Sequence, residues 1–200
     1  MVNWEKLTKN LIDHGFAVKR FATAREAAEY INGKLDGKTI GIGGSVSVEE
    51  LGLYDLLQTH NTVYWNWGKA HGRETIMKGR EAQVYLTSVN GLAETGELIN
   101  IDGTCNRLAD TLYGHEEVIF IVGINKIAPD AQAALWRAQN IAAPKNAQRL
   151  KKKTPCAVKA DKCYDCNSPE RLCRGLLTLW RKPGGIPTAE VVLVEEPLGY

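Results

Sequence analysis

Four cysteines near the end of this 200-residue sequence have the spacing of ligands for one metal centre. They follow the pattern C-x6-C-x2-C-x6-C and are Cys156, Cys163, Cys166 and Cys173. Two thiolates separated by two residues can reach the same ion, and soft sulfur ligands suit zinc or an iron–sulfur cluster far better than magnesium or calcium. Because no histidine takes part, the pattern predicts a closed structural site for zinc or an iron–sulfur cluster.

Two other roles stay open for these cysteines. Their outer gaps match neither the paired C-x2-C steps of a zinc ribbon nor the ferredoxin run. A redox-active thiol pair at the central C-x2-C step is one alternative, and small buried side chains without a ligand are the other.

A polar segment over residues 88–110 is the best candidate for a ligand pocket. It reads SVNGLAETGELINIDGTCNRLAD and carries Asn90, Glu94, Asn100, Asp102, Asn106 and Arg107 around three glycines. The segment directly follows a predicted strand, and ligands of open α/β sheets bind beyond the carboxyl ends of strands. Arg107 offers a two-pronged contact to a carboxylate or phosphate, and Glu94 is the candidate base or nucleophile if its surroundings shift its pKa. The alternative for each residue is the bracing of a turn.

A glycine-rich turn and a lysine are expected at neighbouring strand ends. In GIGGSVSVEELGL (41–53), Gly43, Gly44 and Ser45 form a candidate anion cradle between a strand and a helix, with Ser47 and Glu50 as the helix capping box. The turn is neither a P-loop nor a dinucleotide fingerprint, and a tight turn without a ligand is the alternative. Lys126 follows the apolar strand EVIFIVG and is expected to face the same cleft, although a lysine in solvent is the commoner outcome.

The elements that must position these residues alternate between strands and helices. Strands are predicted at 16–18, 62–65, 82–88, 97–101 and 117–123 and in KTIGIGGS (38–45), where the strand enters the glycine-rich turn, and helices separate some of them. This alternation predicts an α/β fold with a mainly parallel sheet and helices on both faces. Two last strands, 176–180 and 189–194, flank the turn-forming RKPGGIP and predict a C-terminal β-hairpin. We expect one domain over 1–200, with a cysteine-rich segment at 150–175 and the hairpin region at 176–200.

Composition excludes several classes of partner. Lysine plus arginine (25) nearly balances aspartate plus glutamate (23), so the net charge of +2 provides no general attraction to nucleic acid or anionic membranes. No run is long and apolar enough for a membrane span, and the first residues lack a secretory pattern. We therefore expect a cytoplasmic protein, in which clustered thiols indicate metal or redox chemistry rather than disulfides.

Several segments together resemble the LUD-domain family of lactate-utilisation proteins. They are, in order, GIGGSVSVEELGLYDLL, LTSVNGLAETGELINIDG, NRLADTLYGHEEVIFIVGINKI, NAQRL, TPC and CYDCNSPERLC, and the match covers roughly residues 10 to 200. The resemblance implies a fold similar to the sugar-isomerase and CoA-transferase superfamily, with a cleft built from residues 43–45, 90–107 and 126. This sequence departs from the family pattern at Cys105, where glycine is usual, and a side chain there could narrow the cleft or add a thiol.

The resemblance also implies a place in the oxidation of L-lactate to pyruvate, beside partner subunits that carry iron–sulfur clusters. Electron transfer or substrate handling is the leading interpretation, with a small carboxylate or phosphate as ligand. One alternative is a stand-alone isomerase, acyl-CoA transferase or hydrolase that uses Glu94. Another is a non-catalytic scaffold whose basic, cysteine-rich tail docks a partner. Whether the chain turns over a substrate alone is left open by the sequence.

Overall fold

The computed structural model describes residues 1–65, 67 and 72–200. The helices are α1 (Trp4–Asp13), α2 (Ala24–Lys34), α3 (Val46–Glu50), α4 (Leu53–Leu57), α5 (Arg73–Arg80), α6 (Asn106–Asp110), α7 (Ala131–Arg137), α8 (Ala143–Arg149) and α9 (Pro155–Lys159). The strands are β1 (Ala17–Phe21), β2 (Thr39–Ile42), β3 (Thr62–Trp65), β4 (Val84–Thr87), β5 (Gly91–Ala93), β6 (Leu98–Asp102), β7 (Glu117–Gly123), β8 (Ile127–Ala128), β9 (Gly175–Leu179) and β10 (Thr188–Val194). None of the helices in these ranges has the length and apolarity needed to cross a bilayer.

The main sheet has six parallel strands in the order β1-β10-β7-β4-β2-β3. Helices cover it, so the predicted α/β class with a mainly parallel sheet is confirmed. A second sheet has the order β8-β5-β6-β9 and mixes parallel and antiparallel pairs. The sequence pattern did not predict its strands β5 and β8, because they are only three and two residues long.

The predicted C-terminal hairpin is wrong. Strand β9 pairs antiparallel with β6 in the small sheet, whereas β10 lies between β1 and β7 in the main sheet. The physical reason is visible in β10, which is buried along nearly its whole length. A continuous apolar run is typical of a central parallel strand covered on both faces, and a hairpin strand would have one solvated face. The proline- and glycine-rich turn between the strands carries the chain from one sheet to the other.

The core lies on both faces of the main sheet because successive side chains of a strand point to opposite sides. On β7, Val118, Phe120 and Val122 pack towards α1 and the small sheet. Ile119 and Ile121 pack towards α2 and α4. These residues are fully buried, and each such side chain stabilises the fold by roughly 1.5–3 kcal/mol. The central strands are therefore held rigidly from both sides, and so are the loops that leave their ends.

Strands β7, β4 and β2 are consecutive neighbours in the sheet. Because they are parallel, their carboxyl ends meet at one edge, where the chain continues into residues 124–126, 88–90 and 43–45. The topology thus places three segments that are far apart in sequence side by side.

Candidate functional site

A cleft with a cavity of about 170 Å³ lies at this edge of the sheet. The predicted ligand-binding residues that line it are Gly44, Ser45, Asn90, Asp102, Asn106, Arg107 and Lys126. Gly43 lies beneath the cleft and lines a smaller void beside Tyr85 instead. The cavity is smaller than the pockets that enclose drug-sized ligands, which favours a small molecule over a dinucleotide.

Lys126 is the central charged group of the cleft. Only 4% of the residue is exposed, and its Nζ donates hydrogen bonds to Ser47 Oγ at 2.7 Å and Ser88 Oγ at 2.8 Å. The two hydroxyls are anchored in turn, since Ser47 donates to the carbonyl of Leu198 at 3.2 Å and Ser88 to the carbonyl of Ile121 at 2.6 Å. An ammonium group has a further N–H donor, so one donor of Lys126 is left for a ligand.

The charge on Lys126 is poorly compensated. Burial, and then the nearby guanidinium groups of Arg137 and Arg107, lower its pKa from the usual 10.5 to about 7. Glu50 acts on it in the opposite direction but more weakly. Within the part of the chain that the structure describes, no carboxylate forms an ion pair with Lys126. An anion in the cleft would supply the missing countercharge.

Arg107 is fixed at the wall of the same cleft. Its Nη2 donates to Asn90 Oδ1 at 3.1 Å and to the carbonyl of Ile101 at 2.8 Å. Asn90 is itself held, because its Oδ1 also accepts from the backbone N–H of Ile101 at 2.8 Å. The guanidinium is therefore oriented before any ligand arrives, which lowers the entropic cost of binding.

Asp102 gives the cleft a hydrogen-bond acceptor. Its Oδ1 accepts from the backbone N–H of Gly103 at 2.7 Å. Its Oδ2 lies 3.8 Å from Arg107 Nε and, among the described residues, has no hydrogen-bond donor although it is buried. A buried acceptor without a donor is destabilising, so this oxygen could accept a further hydrogen bond.

The glycine-rich turn is explained by close packing against aromatic rings. A Cβ on Gly43 would lie 2.3 Å from the Tyr85 hydroxyl, and one on Gly44 would lie 2.7 Å from the indole of Trp67. The cap of α3 is Ser45, whose hydroxyl accepts from the backbone N–H of Val48 at 3.4 Å, and not Ser47. This shift of the cap leaves the Ser47 hydroxyl available for Lys126.

Glu94 lies outside the cleft, in the turn between β5 and β6. Its carboxylate accepts from the backbone N–H of Asn3 at 2.9 Å and lies 3.7 Å from Lys6 Nζ. Its backbone carbonyl accepts from the Asn10 side chain at 2.7 Å. All three partners belong to α1 or its cap, so Glu94 fastens this helix to the small sheet.

Cys105 occupies a backbone position that favours glycine. Its φ is +62°, in the left-handed region, at the residue before α6. A Cβ on Gly175 would lie 2.6 Å from Cys105 Sγ, so the thiol packs against β9 and is not part of the cleft lining. The left-handed conformation gives a physical reason for glycine in the family pattern.

The four cysteines of the spaced pattern are free thiols that line one small cavity, away from the cleft. Burial first, and then the neighbouring thiols with Cys163 foremost, raise the pKa of Cys173 to about 11. Among the described residues, no three cysteine, histidine, aspartate or glutamate side chains already have an arrangement that could hold a metal ion. Metal binding at these cysteines therefore stays a prediction.

Several residues of the cleft were not expected from the sequence. Besides Ser47 and Ser88, the cleft is lined by Trp67, Arg149 and Tyr200. The guanidinium of Arg149 lies 4.4 Å from the centre of the Trp67 ring, a cation–π contact at the rim. A polar residue directly after β4 was the available signal for Ser88. Of the three rim residues, Arg149 lies in the segment NAQRL of the family resemblance, and no local pattern indicates Trp67 or Tyr200.

These features define an α/β protein with a small cationic cleft at the ends of parallel strands. The chain matches the LUD domain over residues 4–194. It therefore belongs to the LUD-domain family, and the resemblance seen in the sequence is confirmed.

Its fold is similar to that of a DUF162 family protein from Deinococcus radiodurans known from a crystal structure. The two share 14% sequence identity with a TM-score of 0.55, over 95% of this chain and 94% of the other. At this identity the similarity supports the fold alone. No curated protein matches the sequence.

We expect Glu94→Gln to destabilise the fold without weakening the cleft. The neutral amide is a poorer acceptor for the Asn3 N–H, and the exposed Lys6 adds little, so the free energy of unfolding should fall by about 1 kcal/mol. Urea unfolding measures this change, and Glu81→Gln, at an exposed position, is the matched control. Equal stability of the two variants would contradict the anchoring role.

Replacements of Cys105 test the left-handed backbone before α6. Both Cys105→Gly and Cys105→Ala remove the thiol, but only glycine adopts a positive φ without strain. We expect the glycine variant to be more stable than the alanine variant by about 0.5–1 kcal/mol, measured by thermal or urea unfolding. The opposite order, which is usual inside helices, would contradict this conformation.

Proposed function

We propose that this protein binds a small 2-hydroxy or 2-oxo carboxylate in the cleft and handles that substrate in lactate utilisation. The observation that carries the proposal is the buried ammonium of Lys126, which lacks a carboxylate partner among the described residues and lies in one cleft with Arg107. Membership of the LUD-domain family supports the same assignment.

Charge favours an anion in this cleft, and size favours a small one. Lys126, Arg107 and Arg149 bring positive charge to the cavity, and Asp102 brings one negative charge. The net positive charge attracts a carboxylate. A cavity of about 170 Å³ also suits a molecule of few atoms.

Asp102 favours a hydroxyl group next to that carboxylate. An ionised carboxylate only accepts hydrogen bonds, and Oδ2 of Asp102 has no donor in the described part of the chain. The hydroxyl of L-lactate supplies such a donor, and the carbonyl of pyruvate does not. Asp102 therefore discriminates between the reduced and the oxidised acid.

Oxidation of L-lactate to pyruvate breaks an O–H and a C–H bond, forms the C=O bond, and releases two electrons and two protons, the protons passing to solvent. In this proposal, iron–sulfur partner proteins accept the electrons. Lys126 and Arg107 hold the carboxylate, and Asp102 accepts the hydrogen bond of the hydroxyl group. In this proposal the cleft residues bind the substrate and take no part in electron transfer.

The alternative enzyme that uses Glu94 receives no support from its position. Glu94 is bonded to the N-terminal end of α1 and does not line the cleft. A stand-alone isomerase, CoA transferase or hydrolase would need another acid or base.

Binding of L-lactate, pyruvate and inorganic phosphate by calorimetry tests the proposed ligand. We expect Lys126→Met to weaken carboxylate binding about 10- to 100-fold, the loss of one hydrogen bond to a charged group. Lys145→Met, at an exposed position on α8 outside the cleft, is the matched control and should bind normally. Asp102→Asn should weaken L-lactate more than pyruvate. Unchanged binding by Lys126→Met, or tighter binding of phosphate than of L-lactate, would contradict the proposal.

The affinity should also depend on pH through Lys126. Its pKa of about 7 in the free protein means that the ammonium form, which binds the anion, is lost as the pH rises. Affinity should be constant below pH 7 and fall by about tenfold for each pH unit above it. The ligand binds the ammonium form, so its apparent affinity follows the fraction of Lys126 that is in this form. Binding of pyruvate between about pH 6 and 8.5 measures the profile. Lys126→Met should give a flat profile, and a flat profile for the unmodified protein would contradict this role.

A further inference from the structure

The four cysteines that the proposed function does not use surround a cavity beside α8 and α9. Cys156 lies on α9, and the other three lie in residues 161–174, which form no helix or strand. Together with Ala143 and Ala147 of α8, they line a cavity of about 20 Å³. This volume is of the order of one water-sized guest. We propose that the four thiolates bind a soft metal centre in this cavity and that the centre fixes residues 161–174 against α8 and α9.

The chain bends around the sulfur atoms at the C-x2-C step. Asp165 has a φ of +40°, in the left-handed region, and its backbone N–H donates to Cys163 Sγ at 3.3 Å. The turn brings Cys163 and Cys166 to one cavity. Hydrogen bonds from neighbouring groups of this kind usually hold the ligands of metal sites in place.

Arg171 holds the two later cysteines in place through their backbone. Its Nη1 donates to the carbonyl of Cys166 at 2.8 Å and its Nε to the carbonyl of Cys173 at 3.0 Å. Its Nη2 also pairs with Asp165 at 2.9 Å. A single guanidinium thus connects both ends of the C-x6-C loop with the turn of the C-x2-C step.

A further bond joins the first part of the segment to the helical layer. The backbone N–H of Cys163 donates to Asn140 Oδ1 at 3.1 Å, and Asn140 lies in the π-helical turn Ala138–Ala142 between α7 and α8. The framework around the cavity is therefore assembled by protein groups alone. Since no three ligands yet have the arrangement of an ion site, the thiols must rotate inward on binding.

Residues 161–174, between α9 and β9, lack the usual source of stability for such a segment. All are described by the structure, and none of them belongs to the buried hydrophobic core. The hydrogen bonds of Asn140 and Arg171 hold this loop, but the four thiols add no disulfide crosslink. A metal bound to them supplies that crosslink, because binding free energy at a structural site becomes folding free energy.

The segment also supports the cleft. The backbone N–H of Arg174 donates to the carbonyl of Asp102 at 3.0 Å, and a Cβ on Gly103 would lie 3.0 Å from the carbonyl oxygen of Leu172. The end of β6, which carries Asp102, is thus in contact with the cysteine loop. A bound metal would hold Asp102 in place, although metal binding itself does not depend on the proposed carboxylate ligand.

Metal analysis of the full-length protein tests the proposal. The protein is purified anaerobically, and zinc, iron and acid-labile sulfide are measured per chain. Stoichiometric zinc without colour identifies a single ion, and iron with sulfide and a visible absorbance band identifies a cluster. Either result supports a thiolate metal centre. If neither is found, the protein is supplied with Co²⁺ and, separately, with Fe²⁺ and sulfide. Absence of both a cobalt–thiolate charge-transfer band and a cluster spectrum would overturn the proposal.

The double variant Cys163→Ser/Cys166→Ser provides the second arm. We expect it to lose the metal, whereas Cys105→Ser, which removes a thiol outside the cavity, should keep the wild-type content. If the double variant fails to fold, Cys156→Ser should still lower the metal content of a soluble chain. A metal content equal to that of the wild type, in the double variant or in Cys156→Ser, would contradict metal binding by these four thiols.

Discussion

The structure of the cleft depends on the burial of one ammonium group. Lys126 follows the end of the central strand β7, where its ammonium group is buried and donates hydrogen bonds to Ser47 and Ser88. Hydroxyl oxygens satisfy its N–H groups but do not neutralise its charge, so the group is costly for the free protein. An anion bound in the cleft would supply the countercharge.

The site is assembled by sheet topology. Parallel strands deliver Lys126, Ser88 and Ser45 to one edge, although they are far apart in sequence. The rule that ligands bind at the carboxyl ends of such strands allowed this cleft and part of its lining to be predicted from sequence. The same rule misplaced Glu94, because the chain reverses after β5. The polar residues of the segment 88–110 therefore lie on two sides. Asp102 and Arg107 line the cleft, whereas Glu94 contacts α1 and its cap.

Other features could not be predicted from local patterns. A proline- and glycine-rich turn is compatible with a hairpin, and only the two-sided burial of β10 shows that it inserts between β1 and β7. The contribution of Arg149 depends on α8, which continues the helical layer after α7. Tyr200 and Trp67 reach the cleft through contacts that exist only in the folded chain. The spacing of the cysteines predicted that they would meet, and all four line one cavity, but spacing alone leaves their occupant open.

The most direct test of the unpartnered charge is an NMR titration of the Lys126 ammonium group in the labelled protein, with Lys126→Met used to assign the signal. A midpoint near pH 7, which moves to higher pH when pyruvate is added, is the result that burial without a carboxylate partner predicts. A midpoint close to the ordinary lysine value, unchanged by pyruvate, would show that the charge is already compensated and that the cleft does not require an anion.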